Sequence, residues 1–332
     1  MARSHLTLAA LATTAVAGLD AVASAAFGSA TDGDFDSALI TGRDGRHWII
    51  RVPRSEAAEA EQSADLVALR ALSTGVRSRL PFTVSSFAGQ TPINGTRAVV
   101  YEFVYGSKLG LGEMRGREGL AASIGRAIAA VHSLPTSFIA DAGLPVLSPV
   151  EILRSSVTVM DRASATGLVP AALLGRWERA AEDSALWQFA PTVINGTLAV
   201  DSFLSAGDEV TGVLGWSGLS VGDPARDLHW LLGARGDATS ETAIDSYIRT
   251  RGTSDRQLTQ RATLYRELEI AKWLLHGTQE RSTEIVDDAV AMLHGLLDSV
   301  QSDVGQTLGH NTMPILDVAQ VEDMLDHTQR SY

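Results

Sequence analysis

The apolar runs along the chain are short in the first hundred residues and long and helically spaced afterwards. Ser37-Ala38-Leu39-Ile40-Thr41 and His47-Trp48-Ile49-Ile50-Arg51-Val52 flank Arg43-Asp44-Gly45-Arg46, and an Asp-Gly turn between two such runs predicts a β-hairpin. Pro53 ends its second strand. Ser55 is a suitable N-cap for a helix over 55–73, with Glu56, Glu59 and Glu61 near its start and Leu66, Leu69 and Leu72 on its apolar face. Phe82–Phe87 and Ala98–Val104 read as two more strands, joined by the turn-rich stretch 89–95. A strand near Val22–Phe27 makes five, so strands and one helix predict a small α+β lobe over 1–105, closed by a break at Tyr105-Gly106.

Beyond residue 106 the period changes. Ile124, Ile128 and Val131 mark one face of a helix over 120–134. Further helices are expected over 151–165, 170–186, 224–232, 240–249, 256–277 and 282–300, making 106–301 a mostly helical lobe. The polar tail 302–332 contains a linker-like stretch at 305–313 and a short docking helix at 315–325.

Composition narrows the function classes. The net charge of −12 supplies no basic stripe for nucleic acid. The chain has no cysteine, which excludes disulfides, thiolate metal sites and a cysteine nucleophile, and its eight histidines lack zinc-site spacing. No run reaches the roughly 18 apolar residues of a membrane span. The N-terminal stretch 1–26 imitates a signal peptide, with Arg3 before an apolar run and Ala-Ser-Ala at 23–25. The other reading, an Ala-rich helix over 6–16 feeding the first strand, goes with a cytoplasmic protein.

The chemistry concentrates in residues 192–232. An apolar run enters an Asn195-Gly196 turn; a loop leads to Ser202-Phe203-Leu204, a polar turn at 206–209 and a strand over 210–216; Gly222-Asp223-Pro224-Ala225-Arg226-Asp227-Leu228 then opens a helix. This stretch, together with Asp34-Phe35-Asp36, HWIIRVPR at 47–54 and IGRAIAAVHSLP at 124–135, resembles the aminoglycoside and macrolide phosphotransferase family, a small-molecule branch of the protein-kinase-like fold. The resemblance spans roughly residues 20–300 and implies an α+β, two-lobe architecture with a small β-rich N-lobe and a mostly helical C-lobe.

Family members read His-Gly-Asp-Leu-x-x-x-Asn-x-Leu and then Gly-Val-Ile-Asp-Trp: a proton-accepting Asp, a magnesium-binding Asn and a second magnesium-binding Asp. Here Asn195 stands at the His position, Thr197 at the base, Ser202 at the Asn and Gly215 at the second metal ligand. Threonine cannot accept a proton as a carboxylate does, serine is a poorer magnesium ligand and glycine offers none. Asp201 is the candidate substitute ligand, while Asp223 and Asp227 match positions that brace the loop or cap the next helix. In the small lobe, Arg51 stands where kinases place a phosphate-contacting lysine, with Glu61, or else Glu59, as its helix partner, and the glycine-bearing turn ending at Gly33 suits phosphates. The expectation is therefore a family scaffold with lost or strongly reduced phosphoryl transfer and a ligand-binding or regulatory role. The alternatives are an active phosphotransferase with rearranged metal ligands, or a non-catalytic protein-interaction module. ATP or GTP with magnesium is the implied cofactor if binding is retained, and otherwise none. The implied partner is a small molecule, and a protein partner stays open.

Overall fold

A computed structural model describes residues 3–28, 33–114, 116–233, 238–252 and 255–302. The expected linker at 305–313 and docking helix at 315–325 lie outside these residues. Contacts divide the chain into two compact units: the described residues of Met1–Ile152 with Phe189–Leu258, and those of Leu153–Gln188 with Thr259–Tyr332.

The first unit opens with helix α1 (His5–Ala15) and strands β1 (Ala21–Ala26), β2 (Phe35–Gly42) and β3 (His47–Pro53), followed by helices α2 (Glu56–Ala71) and α3 (Thr74–Arg77). Strands β4 (Thr83–Val84), β5 (Phe87–Ile93), β6 (Thr96–Glu102) and β7 (Ser107–Lys108) follow. Five strands form an antiparallel sheet in the order β1-β2-β3-β6-β5. In β2 and β3 every second residue is buried, as a pleated strand requires. The buried set Ala38, Ile40, Trp48, Ile50, Val52, Ala98 and Val100 packs against Leu8 and Ala12 of α1. The stretch that imitates a signal peptide is thus a helix in the core of this sheet plus an edge strand. Ser4 caps α1 by accepting from the Thr7 N–H. The C-terminus of α1 lies so close to β5 that a Cβ on Gly89 would sit 2.0 Å from the Ala15 carbonyl oxygen.

The stretch 89–95, expected as a turn, is instead mostly strand: β5 runs to Ile93 and the reversal is confined to Asn94-Gly95, both at positive φ. Ser55 caps α2 through the Ala58 N–H, and Leu66, Leu69 and Leu72 are buried. Arg77 ties the end of α2 to the next segment, donating to the carbonyls of Leu69, Leu72, Val84 and Ser85.

After α4 (Leu111–Met114) comes α5 (Glu118–His132), whose Ile124, Ile128 and Val131 are buried, then α6 (Ser137–Asp141), α7 (Pro149–Ser164) and α8 (Ala171–Glu182). Strands β8 (Thr192–Ile194), β9 (Phe203–Ala206), β10 (Glu209–Val213) and β11 (Ser220–Gly222) carry the catalytic-type stretch. They form one sheet ordered β4-β10-β9-β7 and a β11-β8 pair. Strand β10 ends at Val213, before the expected Trp216. Two 3₁₀ segments, Pro224–Asp227 and His229–Gly233, replace the helix expected over 224–232. Helices α9 (Ala238–Arg251), α10 (Leu258–Glu280) and α11 (Thr283–Ser302) complete the chain. Helix α5 packs on α9 through Gly125, where a Cβ would meet the Ala243 carbonyl oxygen at 2.1 Å. In the second unit a buried carboxylate, Glu267, is held by Arg176 and by the Trp177 indole N–H.

Candidate functional site

The turn after β8 is set by one carboxylate. Asp227 accepts the backbone N–H of Asn195 at 2.7 Å through one oxygen and that of Gly196 at 2.7 Å through the other. It is fully buried, and His132 Nε2 lies 3.1 Å from it. His132 Nδ1 in turn meets the Tyr247 hydroxyl at 2.9 Å. A buried line from α9 through α5 therefore holds the loop. Gly196 has φ +84, and a Cβ there would lie 2.5 Å from the Gly218 carbonyl oxygen, so the loop and the segment after β10 touch backbone to backbone.

The family-motif positions turn their polar groups on each other. The N–H and hydroxyl of Thr197 both donate to Asn195 Oδ1, at 3.1 and 3.0 Å. Asn195 Nδ2 donates to the Gly215 carbonyl at 2.7 Å. Ser202 Oγ accepts from the Ala199 N–H at 3.1 Å. Gly215 has φ +71, with open space where a side chain would begin. The Asp201 carboxylate is 61% exposed and pairs with Lys108 at 3.3 Å. Asp223 caps the 3₁₀ segment that follows it, accepting the Ala225 N–H at 2.9 Å. Asp208 and Glu209, at the β9–β10 turn, are held by α5 through Arg117, Ser123 and Arg126.

On the sheet side, the Arg51 guanidinium lies 3.8 Å from the centre of the Phe35 ring. Its carbonyl accepts from Gln62 Nε2 at 3.3 Å. Among the described residues neither Glu61 nor Glu59 forms an ion pair with Arg51; Glu61 is exposed. The α2 carboxylate that reaches the site is Asp65, which accepts the Trp216 N–H at 2.7 Å, one residue past Gly215. Burial pushes the Asp65 carboxyl above the usual range, against the opposing pull of that N–H and of the Arg51 charge. The sequence reading missed Asp65 because its partner lies 151 positions away. Its one local signal was its place a single helical turn after Glu61, beside the buried Leu66. Trp216 itself is core, stacked on Phe82. Gly33 gives its carbonyl to Arg54 at 3.0 Å, and the turn residues 29–32 lie outside the described set. Arg54 also joins Arg3 on the buried Asp36. Burial alone raises the Asp36 carboxyl, but these two guanidinium groups outweigh it and hold it below the usual range.

Among the described residues no three His, Asp or Glu side chains come together as a metal site, and no helix is long and apolar enough to cross a membrane.

The model of the phosphotransferase enzyme family matches residues 30–274. The protein YcbJ of Bacillus subtilis (strain 168) is 21% identical over 273 residues, covering 78% of this chain and 87% of YcbJ. Among solved structures, the macrolide 2'-phosphotransferase MphH from Brachybacterium faecium superposes with a TM-score of 0.72 at 23% identity, over 87% of this chain and 98% of its own. The GDP complex of aminoglycoside 2'-phosphotransferase-IIIa superposes with a TM-score of 0.72 at 18% identity, over 88% and 98%. With a β-sheet N-terminal region, a helical C-terminal part and the family match over most of its length, this chain belongs to the phosphotransferase enzyme family and has its kinase-like α+β fold.

Proposed function

We propose that this family member is a small-molecule-binding protein in which phosphoryl transfer is lost or strongly reduced. The observation that carries the reading is the arrangement of Thr197, Ser202 and Gly215. Thr197 and Ser202 spend their hydroxyls on neighbouring loop atoms, and Gly215 has no side chain to offer. Losing general-base assistance alone lowers a rate by about 10²–10⁴. Phosphoryl transfer depends further on metal ions that neutralise the charge on the phosphates. The residues present do not fit magnesium: one hydroxyl already in use, one glycine, and an exposed Asp201 held by Lys108. For the same reason an active enzyme built on Asp201 is the weaker reading, since that carboxylate must first leave its lysine.

The scaffold around these positions argues for a retained role. Asp227 still braces the loop, Asp65 still ties α2 to the segment after β10, and Arg51 still places a cation on the sheet. The test is turnover of ATP and GTP by the full chain with magnesium, in the presence of macrolide and aminoglycoside acceptors. The expected result is no turnover above the protein-free blank. Magnesium-dependent turnover that Arg51→Ala abolishes overturns the proposal.

A further inference from the structure

The two edges of the five-stranded sheet are guarded differently. Strand β5 carries Pro92, which has no N–H to offer, and the end of α1 lies against its Gly89. Strand β1 reads Ala-Val-Ala-Ser-Ala-Ala, with no proline and no charge, and among the described residues no strand pairs with its outer side. An edge of that kind is a template for another strand. A bulge between Ala21 and Ala23 leaves Ala23 to Phe27 as its regular stretch. The pairing with β2 decides which groups are left over. The Phe27 N–H donates to the Ser37 carbonyl at 3.2 Å. Hydrogen-bonded and non-hydrogen-bonded pairs alternate along an antiparallel ladder, so Phe27, Ala25 and Ala23 turn their backbone groups to β2, and Ser24 and Ala26 turn theirs outward. Ala23, Ala25 and Phe27 share the sheet face away from α1, because their partners Thr41, Leu39 and Ser37 alternate with the buried Ile40 and Ala38. All three are exposed, Phe27 to 44%.

We propose that β1 pairs antiparallel with β1 of a second copy of this chain, across a two-fold axis at Ala25. In this register the outward N–H and C=O of Ser24 in each copy meet those of Ala26 in the other, so the leftover groups of both residues are used. Ala23 of one copy lies directly across from Phe27 of the other, on the same face. Each exposed ring thereby covers a residue small enough to receive it. At the axis the two Ala25 residues form a non-hydrogen-bonded pair with Cα atoms about 4.5 Å apart, a spacing that suits methyl groups. Neighbouring registers fit less well. With the axis at Ser24, Phe27 would fall on the bulge at Ala21; with the axis at Ala26, Ser24 would face Gly28, which lies beyond the strand at φ +86. The occupant is a second copy because the edge complements itself: one short stretch supplies both the ring and the methyl group that takes it. The pairing uses no residue of the loop after β8 and holds whether or not phosphoryl transfer is lost.

Sedimentation equilibrium of the full chain over about 1–100 µM tests this, with a monomer–dimer equilibrium expected inside that range. Ala26→Pro removes an outward N–H and leaves the bonds to β2 in place, and it should weaken the dimer by about tenfold or more. Ala25→Lys and Ala25→Glu bring like charges together across the axis, so each alone should stay monomeric throughout the range. An equimolar mixture of the two should associate at least about tenfold more tightly than either does with itself. Ala25 is exposed, so both variants should keep the native circular dichroism spectrum. A native chain that is monomeric throughout overturns the proposal. So does a dimer that Ala26→Pro or the charged variants leave unchanged, which places the contact elsewhere. A mixture that associates no better than its components also overturns it, because the two Ala25 residues then do not meet.

Discussion

Asp227 concentrates three contacts on a single buried side chain: two loop N–H groups and His132. Asp227→Asn keeps the volume but turns one acceptor into a donor facing an N–H. We expect a loss of about 2–4 kcal/mol in urea unfolding. Two other carboxylates make opposite predictions about pH. Asp36 is held low by Arg3 and Arg54, so its contribution is present above the unfolded value near 3.8 and is lost as pH falls through its lower folded value. Asp65 is pushed up by burial. Its favourable linkage is complete below the unfolded value and is lost as pH rises through the higher folded one, leaving a cost at neutral pH. Asp36→Asn should therefore lower the melting temperature more at pH 7 than at pH 3. Asp65→Asn, whose amide oxygen can still accept the Trp216 N–H, should compare more favourably with the native chain at pH 7 than at pH 4. An Asp65→Asn variant that fares worse at pH 7 would mean that the ionised carboxylate stabilises the fold.

Among the elements, α1 and α2 do the positioning. Helix α1 fills the face of the sheet that carries Trp48, Ile50 and Val52, and its Ala-rich surface lets the backbone approach β5 at Gly89. Gly89→Ala places a methyl group against the Ala15 carbonyl, and α1 must shift. We expect a cost of about 1–3 kcal/mol in urea unfolding; an unchanged midpoint would show that α1 is not docked there. Helix α2 meets the sheet through Gln62 and Ser63 and the segment after β10 through Asp65. The strands and helices with strong periodicity were legible in the sequence: the hairpin over 35–53, α2 with its Ser55 cap, and α5. The stretch 89–93 was not, because Gly89 and Pro92 read as turn residues while their real setting is a strand under a helix end. The stretch 224–232 was not legible either: Pro224 and the Asp223 cap announce a helix start, but the segment breaks into two 3₁₀ pieces.

For the whole molecule, the family and its fold were readable from the motif around 195–228, while the site was readable only as a set of departures from it. The resemblance to the family's motif gave Thr197, Ser202 and Gly215 their places. It could not give the contacts of Asp65 and His132, whose partners are far away in sequence. The account turns on whether three side chains separate this scaffold from phosphoryl transfer. Gly215 is open to a side chain, and Asp is among the residues that tolerate its positive φ best, at a cost of about 1 kcal/mol. The most direct measurement is magnesium-dependent nucleotide hydrolysis by the native chain beside the Thr197→Asp, Ser202→Asn, Gly215→Asp triple variant, with EDTA controls. The account predicts a native rate at the blank and a variant rate at least 100-fold above it that EDTA removes. Hydrolysis by the native chain that EDTA removes would contradict it.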